Sequence, residues 1–179
     1  MKAKFVCKSP PGSEATASVE GPGPQKCSSS RPVPTPKQIL VPIDFSECSA
    51  SALDYALMLA RNFHARLVLL QVVEPAVYPD SYLMAPTTME ETNNNLMTAS
   101  RERLAAVRQQ PALQGIAVEL LVRMGRAQSE IPDTAKATGS DLIVMGTHGH
   151  GGLKHALLGG TAERVIRHSH CPVLTVRGP

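Results

Sequence analysis

One stretch of the sequence, from Gly146 to Thr161, concentrates residues that could bind a ligand. It reads GTHGHGGLKHALLGGT and holds six of the chain's 13 glycines among three histidines. A turn needs only one or two glycines, so this density favours a backbone that another group approaches closely. Two kinds of chemistry are open at this point: main-chain amides that surround an anion, or histidines that hold a metal ion.

The glycine spacing matches neither of two common nucleotide-binding fingerprints. A P-loop would need a lysine after its second glycine, but Gly151 is followed by Gly152. In a GxGxxG pattern, Lys154 stands where the third glycine belongs. A different spacing remains, in which Gly146-x-x-Gly149 is followed by nine residues and then by Gly159-Gly160-Thr161.

That spacing could still suit a phosphate chain. Glycine has no Cβ, so its N–H group can come close to an anion. Gly159 and Gly160 precede a predicted helix, whose first amides and dipole favour negative charge. Without a ligand, the same residues would form a flexible loop, with a short turn packed through Leu153, Leu157 and Leu158, and a helix that starts on glycine. Both interpretations stay open on these residues alone.

A metal site is the other chemistry that was left open for this stretch. His148, His150 and His155 could reach one ion, but no nearby carboxylate or thiol completes a ligand set. We therefore expect no dedicated metal site and interpret these side chains as loop histidines that face solvent, with His148 next to the phosphates of a bound ligand.

The segments around the stretch predict an α/β fold with a five-stranded, mainly parallel sheet. Apolar runs of strand length alternate with amphipathic helical patterns, which is typical of strand–helix–strand units. The predicted strands read QILVP, ARLVLLQVV, IAVELLVRMG, DLIVMG and CPVLTVR. Ligands in such sheets bind beyond the carboxyl ends of the strands. Asp44 and Gly146 each follow a predicted strand, so the two could converge.

Four helices are predicted between the strands. Ser46 should cap the first, with one stripe formed by Leu53, Ala56, Leu57, Ala60 and His64. An irregular stretch from Pro75 to Asn93 should precede a second helix over 96–109. The third, within SEIPDTAKATG, should hold Pro132 in its first turn and end before Gly139. The fourth should cover AERVIRHS.

Composition bounds the partners and the location. Residues 1–36 hold seven of the 15 prolines and few large apolar residues, so we expect a disordered extension before a domain over 37–179. The net charge of +3 arises in this tail, and the near-neutral remainder argues against nucleic-acid binding. No apolar run approaches the roughly 18 residues of a membrane span. Four scattered cysteines favour free thiols and a cytoplasmic location.

Three segments together resemble the universal stress protein family: ILVPIDFSECSASALDYA, DLIVMGTHG and LLGGTAERVIRHSHCPVLTVR. The resemblance runs from about Lys37 to Arg177. It implies a three-layer sandwich that is Rossmann-like and similar to the adenine-nucleotide alpha-hydrolase fold. The family's ATP-binding branch carries G-x-x-G, nine residues, then G-[ST], and this chain matches each glycine. It departs at Gly160, where the family has Ser or Thr, so the capping box that Glu163 would complete lacks its hydroxyl.

Carried over residue by residue, the resemblance implies a set of ATP-contacting positions. Asp44 would accept hydrogen bonds from the adenosine moiety, and the backbone of Val72 would meet adenine. Mg²⁺ could enter with ATP, held mostly by phosphate oxygens and water. The implied binding residues are Pro42, Ile43, Asp44, Val72, Met145, Gly146, His148, Gly149, Gly159, Gly160 and Thr161.

Three functions remain open from the sequence. The first is a cytoplasmic homodimer, paired through strand 173–177, that binds ATP as a sensing or regulatory ligand. The second keeps the fold and the dimer but has lost the ligand and acts as an interaction module. The third is a weak ATPase, with Asp44 as the base. Turnover would need a second charge, and the cations near in sequence, Lys154 and Arg164, are interpreted as solvated surface charges.

Overall fold

The computed structural model describes residues 35–75, 86–149 and 158–178. All of them lie within the compact unit Pro34–Pro179. The predicted extension over 1–36 therefore lies almost wholly outside the described residues. None of the helices in these three ranges combines the length and apolar character that crossing a bilayer requires.

A five-stranded parallel sheet forms the centre of this unit, which confirms the predicted α/β class. The strand order is β3-β2-β1-β4-β5, so β1 lies between β2 and β4. The strands are β1 (Gln38–Pro42), β2 (Arg66–Val73), β3 (Val118–Met124), β4 (Leu142–Gly146) and β5 (Val173–Val176). The described helices are α1 (Glu47–Phe63), α2 (Pro86–Arg108), α3 (Ala127–Thr138) and α4 (Gly160–His168).

Two hydrophobic cores flank the sheet and create the three layers. Side chains alternate along a strand, so Ile39 and Val41 of β1 point into the core shared with α1 and α2. Leu40, between them, joins the core beneath α3 and α4. Central strands are thus buried on both faces, which is why they read as continuous apolar runs rather than as alternating ones.

The first helix begins as predicted and ends differently. The hydroxyl oxygen of Ser46 accepts a hydrogen bond from the Ser49 N–H at 3.2 Å, which confirms Ser46 as the N-cap. His64 was expected on the buried stripe, but it is exposed and ends the helix with a positive φ of 55°. A left-handed residue at this position closes the last turn, so its side chain leaves the helical face.

Three other helix starts were predicted too late. Helix α2 begins at Pro86 rather than near Leu96, so the irregular stretch is shorter than 75–93, and residues 76–85 of it lie outside the described residues. Three consecutive asparagines, 93–95, are weak helix formers and concealed this start. Helix α3 begins at Ala127, which places Pro132 inside the helix and not in its first turn. Helix α4 begins at Gly160, two residues before the predicted segment.

Gly139 confirms its predicted role at the end of α3. Its φ is 70°, and its N–H donates to the carbonyl oxygens of Ala135 and Lys136. Only glycine takes this left-handed conformation without a steric cost. The chain then turns directly into β4, whose last residues enter the candidate site.

Candidate functional site

The strand order places a crevice at the carboxyl end of β1. From β1 the chain proceeds to β2 and β3 on one side of the sheet and later to β4 and β5 on the other. Connections on the two sides diverge at such a switch point and leave an opening. A cavity of about 520 Å³ lies here, between the ends of β1, β2 and β4 and the starts of α3 and α4.

All eleven positions implied by the family resemblance line this one cavity. They come from four separate segments: the end of β1, the end of β2, the end of β4 with the loop after it, and the start of α4. Ile43 lines the cavity without offering it a free side chain or a free N–H group. The Ile43 side chain is buried in the α1–α2 core, and its N–H donates to the Leu70 carbonyl at 2.7 Å.

Asp44 is held by the helix that follows it. Its Oδ1 accepts hydrogen bonds from the Ser46 N–H at 3.0 Å and from the Ser46 hydroxyl at 2.6 Å. The same serine caps α1, so the helix start and the carboxylate fix each other's position. Asp44 itself is exposed at the cavity wall.

Phe45 adopts a backbone conformation that its residue type disfavours. Its φ is 64°, which costs a non-glycine residue roughly 1 kcal/mol or more. The ring lies beneath the guanidinium of Arg103, 3.8 Å from the ring centroid, so a cation–π contact from α2 holds it there. This turn separates Asp44, which faces the cavity, from Ser46, which starts the helix.

Three motif glycines lie close to other atoms of the protein itself. A Cβ on Gly146 would lie 2.8 Å from the Cβ of Cys48 in α1. On Gly159, a Cβ would lie 2.9 Å from the Thr147 carbonyl oxygen. On Gly149, it would collide with Oδ2 of Asp44. Glycine at these positions therefore lets α1, the loop after β4 and the start of α4 converge, which the sequence interpretation had attributed to the ligand's approach.

The start of α4 presents free amides to the cavity. The first intrahelical bond runs from the Glu163 N–H to the Gly159 carbonyl at 3.0 Å, so the N–H groups of residues 160–162 precede the ladder and have no helical acceptor. The Gly159 amide is engaged, because it donates to the Thr147 carbonyl at 2.8 Å. The amides of Gly160, Thr161 and Ala162 thus have no acceptor within the described part of the chain.

The capping box, already expected to lack its hydroxyl at Gly160, is also out of register by one residue. Gly159 is the N-cap and Gly160 the first helical residue, so Glu163 lies one position too far along the helix to complete a box. The Glu163 carboxylate instead pairs with Arg167 at 2.9 Å. A Cβ on Gly160 would meet nothing within 4 Å, so this glycine opens space beside the free amides.

His148 contributes an unsatisfied polar atom to the site. Its Nδ1 lies 3.1 Å from the Thr147 hydroxyl oxygen, while its Nε2 is buried without a hydrogen-bond partner in residues 35–75, 86–149 and 158–178. A buried polar atom left unpaired costs on the order of 1–3 kcal/mol. The other two histidines of the proposed metal set, at positions 150 and 155, lie outside the described residues.

The cavity also has walls that the sequence interpretation missed. Leu70, Ile131 and Ala162 are buried residues of the core beneath α3 and α4, and with the predicted Met145 they form an apolar side. Residues at the start of α3 could have been anticipated, because the helix after each parallel strand begins at the same edge of the sheet. Further lining residues absent from the prediction are Ser49, Ala127, Gln128, Thr147 and Arg164.

Comparison with known proteins assigns the family. The model of the universal stress protein family matches residues 35–177. The chain is 36% identical over 143 residues to universal stress protein MJ0531 of Methanocaldococcus jannaschii, covering 80% of this chain and 83% of that protein. It is 35% identical over 145 residues to universal stress protein YxiE of Bacillus subtilis, covering 78% and 98% of the two chains. The chain therefore belongs to the universal stress protein family.

Solved structures agree with this assignment. The structure of protein MJ0577 matches with a TM-score of 0.71 and 29% identity, over 82% of this chain and 99% of that one. A universal stress protein in complex with cAMP matches with a TM-score of 0.52 and 22% identity, over 82% and 100% of the two chains. The predicted family and fold are thereby confirmed.

Proposed function

We propose that this universal stress protein is a cytoplasmic, dimeric module that binds ATP as a regulatory or sensing ligand. The observation that carries the proposal is the pairing of two features across one cavity. Asp44 offers a positioned hydrogen-bond acceptor at the end of β1, and the free amides of residues 160–162 offer donors at the start of α4. Ribose hydroxyls suit the first feature, and phosphate oxygens suit the second.

The properties of the cavity support an adenine nucleotide. Its volume of about 520 Å³ falls within the range of small-molecule sites, roughly 300–1,000 Å³. The apolar side around Val72 and Met145 could pack against a base. The buried Nε2 of His148 has no hydrogen-bond partner among the described residues, and a bound ligand would supply one. A protein of the same fold has been crystallised with cAMP, so the fold can accommodate an adenine nucleotide.

Mg²⁺ would enter with the nucleotide rather than occupy a site made by protein side chains. Asp44 is the one carboxylate among the described lining residues, and Mg²⁺ bound with few protein ligands keeps phosphate oxygens and water around it. The ion would then screen the phosphate charge. The protein's own contribution is to orient the adenosine end and to donate N–H groups to the phosphates.

Isothermal titration calorimetry of the purified protein with ATP and Mg²⁺ tests the proposal. We expect saturable binding that weakens at least several-fold in Asp44→Asn, because the amide supplies one acceptor oxygen where the carboxylate supplies two. Asp54→Asn is the matched control, since Asp54 is exposed on α1 and does not line the cavity. Absence of heat and of any thermal shift at millimolar ATP would reject the nucleotide as a ligand.

The homodimer in this proposal would form through β5. This strand pairs only with β4 in the described sheet and so presents a free edge. Leu174 on it keeps 38% of its surface exposed, and an unpaired apolar edge favours association with another strand. Pairing with a second copy through residues 173–177 would cover both the free edge of β5 and the exposed side chain of Leu174.

A second candidate is an interaction module of the same fold that has lost its ligand. The specific observation in its favour is Gly160, which leaves open space where the family's binding motif has a hydroxyl. Nucleotide analysis of the purified protein separates the two functions. Co-purified adenine nucleotide supports the first, and an empty protein that fails to bind ATP supports the second.

A further inference from the structure

Arg164 faces the cavity from the second turn of α4. It lies one helical turn after Gly160, and helical side chains tilt towards the helix N-terminus. The Arg164 side chain therefore covers the region around residues 160–162, whose amides precede the hydrogen-bond ladder. Its place among the lining residues agrees with this direction. The sequence alone had suggested only a solvated surface charge.

The guanidinium of Arg164 has no competing partner in the part of the chain that the structure describes. The nearby acidic residue on the helix, Glu163, is paired with Arg167 at 2.9 Å. The His168 ring contacts the backbone of Arg164 and not its guanidinium, since Nδ1 of His168 lies 2.7 Å from the Arg164 carbonyl oxygen. Its side chain is thus a cation at the exposed rim of the cavity.

Charge across the cavity gives a bound nucleotide one favoured direction. Asp44, two residues after β1, and Arg164, on α4, are the two formally charged residues among the described lining residues. A phosphate chain near Asp44 would be repelled, whereas near Arg164 it would be attracted. The adenosine end therefore belongs with Asp44, and the phosphates extend towards α4 and the exposed rim.

We infer that Arg164 determines how many phosphates the site prefers, by binding the outer phosphates of the nucleotide. This inference rests on the proposed function and adds a residue-level basis for its selectivity. A guanidinium binds phosphate through paired N–H donors in a planar fork. The amides of α4 donate to the inner phosphate, and Arg164 at the rim binds the phosphates that lie further from the adenosine. The site should then prefer ATP to ADP, and ADP to AMP.

Calorimetric titrations of the full-length protein with ATP, ADP, AMP and adenosine test the inference. In Arg164→Gln, we expect ATP to bind about tenfold to a hundredfold more weakly, as is typical for the loss of a hydrogen bond to a charged group. AMP and adenosine should change by less than about twofold. Arg164→Lys keeps the charge without the fork and should recover only part of the ATP affinity.

Arg167→Gln is the control variant on the same helix. Arg167 is also exposed, but it is paired with Glu163 and does not line the cavity, so all four affinities should match those of the unmodified protein. If Arg164→Gln leaves ATP affinity unchanged, or weakens AMP as much as ATP, the inference is wrong while the proposed function stands. If the unmodified protein binds none of the four ligands, the proposed function fails and the inference fails with it.

Discussion

Replacing Gly160 with serine should tighten ATP binding without disturbing the fold. Gly160 is the first residue of α4, and its φ is not positive. A Cβ at this position would meet nothing within 4 Å. A side chain is therefore tolerated on both conformational and steric grounds. Because the Cα–Cβ bond tilts towards the helix N-terminus, the new hydroxyl would point to the region of the free amides.

The expected gain can be worked out from one added hydrogen bond. A hydrogen bond to a charged group contributes about 1.5–3 kcal/mol, and the lower figure corresponds to roughly a tenfold lower Kd. We use the lower figure because the hydroxyl must be ordered at an exposed site. Serine is also a better helix former than glycine by about half a kcal/mol, which would add slightly to the stability of the free protein.

Gly160→Ala separates the hydroxyl from the effect on the helix. Alanine should raise the free energy of unfolding by up to about 1 kcal/mol, which corresponds to a rise in Tm of roughly 2–4 °C for a chain of this size. It should leave ATP affinity unchanged. Calorimetry and thermal denaturation of both variants give the two quantities. If serine and alanine bind ATP equally well, the phosphates do not lie at the start of α4 and the reasoning is refuted.

Four further outcomes follow from the described contacts. Gly149→Ala should weaken ATP binding at least tenfold with little change in Tm, because its Cβ would displace the Asp44 carboxylate; unchanged affinity would contradict this. Ser46→Ala should lower the free energy of unfolding by about 1 kcal/mol in denaturant titrations, because the cap of α1 is lost. It should also weaken ATP binding, because the hydroxyl that donates to Asp44 is lost. A loss of stability without a loss of affinity would show that Ser46 caps the helix but does not position Asp44 for the ligand. Leu174→Asp, a change at an exposed side chain of β5, should convert the proposed dimer to a monomer in light scattering; a dimer that persists would exclude β5 as the interface. Burial raises the pKa of Cys171. Alkylation of this thiol, measured against pH in a variant whose other cysteines are serines, should therefore have its midpoint above that of free cysteine. A midpoint below that of free cysteine would contradict the effect of burial.

The sheet could be predicted because burial on both faces leaves a strong pattern. β1 and β4 are short apolar runs without polar alternation. Asp44 follows β1, and the loop after Gly146 follows β4, and both line the cavity. Parallel strands end at the same edge of a sheet, so the sequence indicated that the two could converge, and the strand order β3-β2-β1-β4-β5 brings them together. The resemblance to the universal stress protein family, and not the spacing alone, implied which segments meet at that edge.

Other features depended on tertiary contacts that no local pattern encodes. Phe45 takes a left-handed conformation that sequence propensity argues against, and a contact with Arg103 from the distant α2 supports it. Gly146, Gly149 and Gly159 also relieve contacts within the protein, a role that no local pattern revealed. Arg164 gave no signal, because a cation on a helix is usually a solvated surface residue.

A crystal structure of the protein grown with ATP and Mg²⁺ would test the central claim most directly. The account predicts phosphate oxygens about 2.7–3.2 Å from the amide nitrogens of residues 160–162, with the adenosine between Asp44 and Val72. A nucleotide bound elsewhere would contradict it, as would a cavity filled by the chain's own side chains while ATP is in excess.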